Sequence, residues 1–423
     1  MNLTEKILAR ASKRERVSPG DVIFADVDRA MVHDVSGPGV IKVFEKLQKR
    51  GIDTSRLWDP SRVWVAEDHF VPSAEKISAQ NLVRLSEFVR SHGITKYYRY
   101  GMGQYGICHS LSHEEALVLP GEVYVGGDSH TNTTGALGAF ACGLGHTDMA
   151  YVLLKGRIWF RVPETILIRI SGRLPRDVTA KDVILRIIGD MGTDGGAYRT
   201  MQFAGDTVSN MSVEDRLTMC NMTTEAGAKN GIVEPDTKTV SYLESRGARG
   251  VRTISPDPDA SYHQTIEYDA ESLVPVVAEP YSPDNITPVA EAPSEDLDKA
   301  YIGSCTGAKY EDLAAAARIL KGRQVKIRTE VLPATMSIYR RAVADGLVST
   351  FIESGAMVGP PTCGACCGAH MGVLADGEVC ISTTNRNFPG RMGHPGSRTY
   401  LASPAVAAAS AVTGRITPPG DLD

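Results

Sequence analysis

The chain has no stretch of about 18 uninterrupted apolar residues, which excludes a membrane-spanning helix. Its N-terminus, MNLTEKILARASKRERVSPG, lacks the apolar core of a secretion signal and reads as a short amphipathic helix. There is no long run of Lys or Arg, and the net charge is −5; this argues against a dedicated nucleic-acid or membrane-surface binder and leaves room for a local basic pocket. No repeat of solenoid or propeller period occurs.

The remainder has an ordinary balance, 42% hydrophobic and 22% charged over 423 residues, so a globular protein of two or three domains is expected. With eight cysteines and no secretion signal, metal ligands or buried thiols are a better reading than disulfides, and the cytoplasm is the expected compartment.

From Asp21 short β-rich runs alternate with helical ones: VIFADVD, RVWVAED, TKYYRY and EVYVGG as strands, VIKVFEKLQKRG and SAQNLVRLSEFVRSHG as helices. That alternation predicts α/β architecture with largely parallel sheets, whose sites collect beyond the carboxyl ends of strands. TGALGAFACGLGHTDMAYVLLKG reads as helical and rich in small residues, and RIWFRVPETILIRISGRLP as paired strands opening a second domain. TAKDVILRIIGDMG predicts a helix, and 254–295 an irregular Pro- and Asp-rich connection with one strand, YHQTIEYD. A last domain follows: DKAYIGSC and VKIRTEVLPAT as strands, KYEDLAAAARILKGR, YRRAVADGLVSTFIESG and SPAVAAASAVTGRI as helices. The expected units are 1–160 with the His/Asp motifs, 161–285, and 286–423 with the clustered cysteines and arginines.

Acid–base residues fall where strand-like runs end: Asp68-His69, His109, and Asp128-Ser129-His130. One His at a strand end is more often a structural hydrogen-bonder than a catalyst. Three such ends, two carrying an adjacent Asp, favour chemistry, because an Asp that meets its His fixes the tautomer and raises its basicity. Glu225 reads equally as a solvated helix residue or a carboxylate facing the site. Gly101-x-Gly103-x-x-Gly106 imitates a dinucleotide fingerprint, but no clean apolar-faced helix follows it, so no nicotinamide cofactor is expected.

The densest chemistry is in GPPTCGACCGAHMG, with Cys363 and Cys366 between glycines, and in YIGSCTGAKY, with Cys305. A cubane normally takes four thiolates; three would leave one iron open, which suits a Lewis acid. Zinc is the rival, since Cys305, Cys363, Cys366 and His370 could complete a tetrahedral site, and a redox pair is the third reading. Cys367 is a possible mis-ligand beside the pair, and Cys380 reads as a packed core thiol. Asn385-Arg386-Asn387 and Arg391 follow the strand-like EVCIST, in a loop suited to bidentate carboxylate recognition.

Taken together and in order, DHF, GICH, GGDSHT, GALGAFACGLGHTDMA, CNMTTEAGAKNG, IGSCT, CGACCG and STTNRNFPGRMG resemble the aconitase superfamily. The resemblance covers nearly the whole chain and is strongest to the large-subunit 3-isopropylmalate dehydratase family, with the homoaconitases close beside it. It implies three α/β domains around a central 4Fe–4S cluster with one iron not ligated by cysteine, held by Cys305, Cys363 and Cys366. It assigns acid–base and hydrogen-bonding roles to Asp68, His69, His109, Asp128, His130 and Glu225, and the substrate side to Asn385, Arg386 and Arg391.

The swivelling domain of single-chain members is not found in this sequence, so the resemblance implies a separate small subunit that carries it and a site completed between the two chains. The implied reaction is dehydration and rehydration of a 2-hydroxy-dicarboxylate, moving the hydroxyl to the neighbouring carbon, with 2-isopropylmalate to 3-isopropylmalate in leucine biosynthesis the leading case. Homoaconitase or another malate-type dehydratase is the near alternative; a structural zinc module or an RNA-binding regulator is the distant one. Three departures from the family pattern lie near the implied pocket: Cys305-Thr306-Gly307, Asn132-Thr133-Thr134, and Tyr105 and Ser110 around His109.

Overall fold

Runs of β-branched and aromatic residues too short for helices build three larger sheets, each flanked by helices, and one two-stranded ribbon. They are seen in a computed structural model that describes residues 1–368 and 370–422. The first sheet has five strands, all neighbours parallel, in the order Lys96–Tyr98, Val63–Ala66, Arg29–His33, Val123–Gly126, Phe140–Gly143. Val63–Ala66 and Val123–Gly126 are buried along their whole length, as strands covered on both faces must be. The second sheet is a parallel set of four: Asn230–Val233, Thr200–Ala204, Thr165–Ser171 and Gln264–Asp269. The third has seven strands, of which Arg398–Leu401, Val379–Ser382, Lys299–Ile302, Arg328–Val331 and Met357–Val358 run parallel. The α/β architecture with largely parallel sheets is therefore the fold.

Several local expectations change. The strand that enters the first sheet is Arg29–His33, directly after VIFADVD; Val22–Asp26 instead pairs antiparallel with Arg157–Arg161, and each exposes alternate residues. Arg157–Arg161 and Thr165–Ser171 are both strands but belong to different sheets and do not pair with each other. The stretch read as one small-residue helix is a 3-10 turn at Ser129–Leu137, the strand Phe140–Gly143 and the helix His146–Lys155. Its small residues serve close backbone approach, since a Cβ on Gly135 would sit 1.6 Å from the Gly231 carbonyl oxygen. Finally, the connection after Ile254 contains two further strands, Val276–Ala278 and Ile286–Pro288, which pair antiparallel and join the third sheet through Ala278 and Leu401. The third sheet thus begins before 286, and the expected boundary falls between its two antiparallel strands.

The helix expected from Tyr339 is broken by Gly346, in the left-handed region at φ 76°, into Met336–Ala344 and Leu347–Glu353. Among the described residues no helix is long and apolar enough to cross a membrane. What the fold does for chemistry is to bring strand ends together: Asp68-His69 follow Val63–Ala66, Asp128 follows Val123–Gly126, Cys305 follows Lys299–Ile302, and Asn385 follows Val379–Ser382.

Candidate active site

These strand ends meet at a cavity of about 240 Å³ lined by Cys305, Cys363 and Cys366 together with His69, His109, His130 and the arginines Arg386 and Arg391. A larger cavity, about 610 Å³, opens beside Arg216 and Asp236 in the second unit, but its lining holds no histidine or cysteine among the described residues. Volume does not locate the chemistry here; the convergence of ionisable groups does.

His69 is the most tightly specified of them. Its Nδ1 lies 2.8 Å from Asp68 Oδ1, while Asp68 Oδ2 accepts the Cys108 N–H at 2.7 Å. Burial alone would raise the Asp68 carboxyl, but His69 outweighs burial and holds it far below the ordinary carboxylate range. For His69, burial opposes protonation, and the Asp68 carboxylate and then the Cys363 sulfur overcome it, so the imidazole is raised well above its ordinary value. The Asp68 carbonyl accepts from the Cys363 N–H and from Thr362 Oγ1, which ties this pair to the cysteine loop.

A second chain of groups runs along the opposite wall. His109 Nε2 meets Asp128 Oδ1 at 2.8 Å, and the same oxygen accepts the His130 N–H at 2.8 Å. His130 Nε2 meets Glu225 Oε1 at 2.6 Å, and Arg386 Nε donates to Glu225 Oε2 at 2.8 Å. Glu225 is therefore a buried bridge between a histidine and an arginine rather than a solvated helix residue. Burial depresses His109 below its ordinary value, with Asp128 only partly opposing, whereas His130 and Arg386 together overcome burial to keep Glu225 low.

The three thiols are built into polar cradles. Cys305 Sγ receives Asn221 Nδ2 at 3.1 Å and Asn385 Nδ2 at 3.5 Å; Arg391 Nη2 lies 4.0 Å from Cys366 Sγ. Burial, then the neighbouring Cys366, pushes the Cys305 thiol up to about 11, so the Cys305 sulfur ionises only with cationic compensation. Two thiolates on one tetrahedral zinc lie about 3.8 Å apart, from a Zn–S bond of about 2.3 Å. Among the described residues, the metal-ligating groups within 4.8 Å of one another are His33–Asp34–Asp68–His69 and His109–Asp128–His130, not the cysteines. His370, the fourth ligand a zinc site would require, does not line the cavity. Thiols in one cavity yet beyond the reach of a single ion, with Arg391 Nε buried and unpartnered beside them, fit an iron–sulfur cluster.

Asn387 and Cys380 lie outside the cavity. Asn387 is spent on the carbonyls of Ala278, Glu279 and Thr399, and Cys380 is a fully buried core thiol. Cys367 lines the cavity with the pair. Gly101–Gly106 leads into contact with the third unit: Ile107 N–H donates to the Ala334 carbonyl at 2.8 Å. Of the departures, Gly307 is required, because a Cβ there would come within 2.1 Å of Thr383 Oγ1. Thr133 accepts Asn221 Nδ2 at 2.8 Å behind Cys305, and Asn132 donates to Thr223 Oγ1; both are buried supports.

Sequence reasoning missed His33, Asp34 and Asn221. Asp34 accepts the N–H groups of Asp68, His69 and Phe70, the last at 2.7 Å. His33 stacks on His69 at 4.7 Å between centroids and turns Nε2 to within 3.6 Å of Asp128. The adjacent His-Asp after an apolar run was the available signal; VIFADVD, directly before it, had taken the strand assignment.

The family model described as aconitase family (aconitate hydratase) matches residues 5–297 and 290–414. The chain is 48% identical over 419 residues to the 3-isopropylmalate dehydratase large subunit 1 of Methanopyrus kandleri, covering 99% of this chain and 98% of that protein. It is 48% identical over 425 residues to the 3-isopropylmalate dehydratase large subunit of Heliobacterium modesticaldum, covering 100% of both. With the protein of the same name from Moorella thermoacetica it shares 49% over 424 residues, 100% of this chain and 99% of the other. The crystal structure of Thermococcus kodakaraensis aconitase X in its holo form matches at a TM-score of 0.51 and 13% identity, over 86% of this chain and 84% of that one, a likeness of fold.

Proposed function

This chain belongs to the aconitase family, and from that premise we propose that it is the large subunit of an iron–sulfur hydro-lyase that converts 2-isopropylmalate to 3-isopropylmalate in leucine biosynthesis. The reaction removes water across two neighbouring carbons of the hydroxy-dicarboxylate and returns it with the hydroxyl on the other carbon. The observation that carries this reading is the presence of Cys305, Cys363 and Cys366 in one cavity with His69 and Arg386.

Cys305, Cys363 and Cys366 would hold the 4Fe–4S cluster. When bound, the cluster supplies an iron without a cysteine ligand, a Lewis acid for a substrate carboxylate and hydroxyl. His69 protonates the departing hydroxyl oxygen; with Nδ1 committed to Asp68, the proton comes from Nε2. Arg391 and Arg386 bind substrate carboxylate, the latter held on one edge by Glu225 and Ser129, and Asn385 fixes the Cys305 side. Asp128, with His109 and His130, orients the facing wall. The carbon-bound proton leaves to a base on the small subunit, whose swivelling domain closes the cavity. The chain then acts as three α/β units, 1–160, 161–285 and 286–423, with the second joint moved toward Val276, and the enzyme works in the cytoplasm.

The test is anaerobic reconstitution of the cluster with the small subunit, followed by turnover on 2-isopropylmalate, homocitrate, citramalate and citrate. Highest kcat/KM on 2-isopropylmalate supports the assignment. Preference for homocitrate moves it to the homoaconitases, and no turnover of any of the four, with iron and sulfide present, sinks it.

A further inference from the structure

Among the described residues that line the cavity, only two have pure hydrocarbon side chains, Val35 and Phe70. They follow neighbouring parallel strands, Arg29–His33 and Val63–Ala66, which are in register at His33 and Ala66, so they stand side by side at the carboxyl edge of one sheet. Both are held at the backbone: Val35 N–H donates to His33 Nδ1 at 3.1 Å and Phe70 N–H to Asp34 Oδ2 at 2.7 Å. Val35 is nevertheless 42% exposed, an uncovered apolar surface beside charged groups. The other described lining residues offer charge, hydroxyl, amide or sulfur, which suits two carboxylates and a hydroxyl but not an alkyl branch.

We propose that Val35 and Phe70 form the apolar wall that receives the alkyl substituent of the substrate and sets the preference for branched over short-chain 2-hydroxy-dicarboxylates. This rests on the dehydratase reading and deepens it. A hydrophobic pocket discriminates about 10–200-fold per methylene, and isopropyl differs from methyl by more than one. The wall therefore accounts for a selectivity that the polar groups cannot provide.

The experiment compares kcat/KM on 2-isopropylmalate and on citramalate, its methyl counterpart, using the cluster-loaded complex with the small subunit. Val35→Ala and Phe70→Ala should each lower the isopropyl-to-methyl ratio about 10-fold or more, with citramalate turnover held within a few-fold. Val35→Phe, which fills the space, should lower the ratio further by rejecting isopropyl. An unmoved ratio in all three variants, with both substrates turned over by the unaltered enzyme, overturns the wall and leaves the dehydratase reading standing. Equal losses on both substrates accompanied by loss of the small subunit on gel filtration also overturn it, since the residues would then belong to the subunit interface. Failure of the unaltered complex on both substrates removes the 2-isopropylmalate assignment and this inference with it.

Discussion

The Cys363 N–H donates to the Asp68 carbonyl at 2.9 Å, so the carboxylate that charges His69 and a thiol of the cysteine loop share one hydrogen-bonded frame across two sheets. His69 and the cysteine loop are thus fixed relative to each other by backbone, which rotamer changes do not disturb. The Asp68 side chain can then be altered with this backbone contact left in place.

Asp68→Asn keeps an acceptor for the Cys108 N–H but no longer favours a charged His69. A displaced general acid costs about 10²–10⁴ in rate. Steady-state kcat should fall in that range while iron and sulfide content stay at the unaltered level. Loss of the cluster together with activity would instead make Asp68 a structural residue of the cysteine loop.

Replacing cysteines separates ligands from core. Cys305→Ala, Cys363→Ala or Cys366→Ala should each remove the broad visible absorbance and turnover after reconstitution. Cys380, 0% exposed in the strand Val379–Ser382, should tolerate Ala with cluster and turnover intact and a loss of about 1 kcal/mol in stability, the scale of a small core truncation. Absorbance spectra and thermal melts of the four variants decide this.

Much of the site was legible because its chemistry sits at strand ends with distinctive residue types: Asp68-His69 after RVWVAE and the cysteines between glycines. The supports were not. Asn221 reads as one more polar residue of a helix and acquires its meaning only when Cys305, 84 positions away, arrives beside it. The 140–143 strand was hidden because Ala, Cys and Gly were chosen for contact with 230–233, where Asn230 Oδ1 accepts the Ala141 N–H at 3.1 Å, and such contacts leave no periodic trace. That 157–161 and 165–171 do not pair with each other likewise depends on partners far along the chain.

Glu214 makes stability depend on pH. It is buried, accepts the Glu311 N–H at 2.9 Å, and burial followed by the Glu311 charge raises its carboxyl from 4.5 to about 8. Asp312 also raises it, with Lys309 opposing. A raised carboxyl costs nothing below the unfolded value, where both states are protonated, and its full penalty applies above the folded value. Glu214→Gln, which keeps the acceptor, should therefore match the unaltered protein near pH 4 and be the more stable one above pH 8, by at most about 5 kcal/mol. Denaturant melts of the apo protein across that window test the sign; equal pH profiles would show that Glu214 is not protonated in the fold.

Lys181 joins the second unit to the site. From the helix Ala180–Met191 its buried Nζ donates to Thr306 Oγ1 at 3.2 Å and to the carbonyls of Thr383 and Thr384 at 3.0 and 2.6 Å. Those acceptors flank Cys305 and Asn385, so one ammonium ties together the loops that present a thiol and its amide donor. Burial, then Lys309, lowers it to about 7; because Thr306 Oγ1 also donates to the Thr383 carbonyl at 2.9 Å, the Thr384 carbonyl is the acceptor that depends most on Lys181. Lys181→Met fills the volume and leaves buried acceptors without a donor, at about 1–3 kcal/mol for each group orphaned. The melting temperature of the apo chain should drop, and iron retained per chain after reconstitution should drop with it, because the Cys305 and Asn385 loops lose their common anchor. A lower melting temperature with full iron retention would confine Lys181 to holding the domains together.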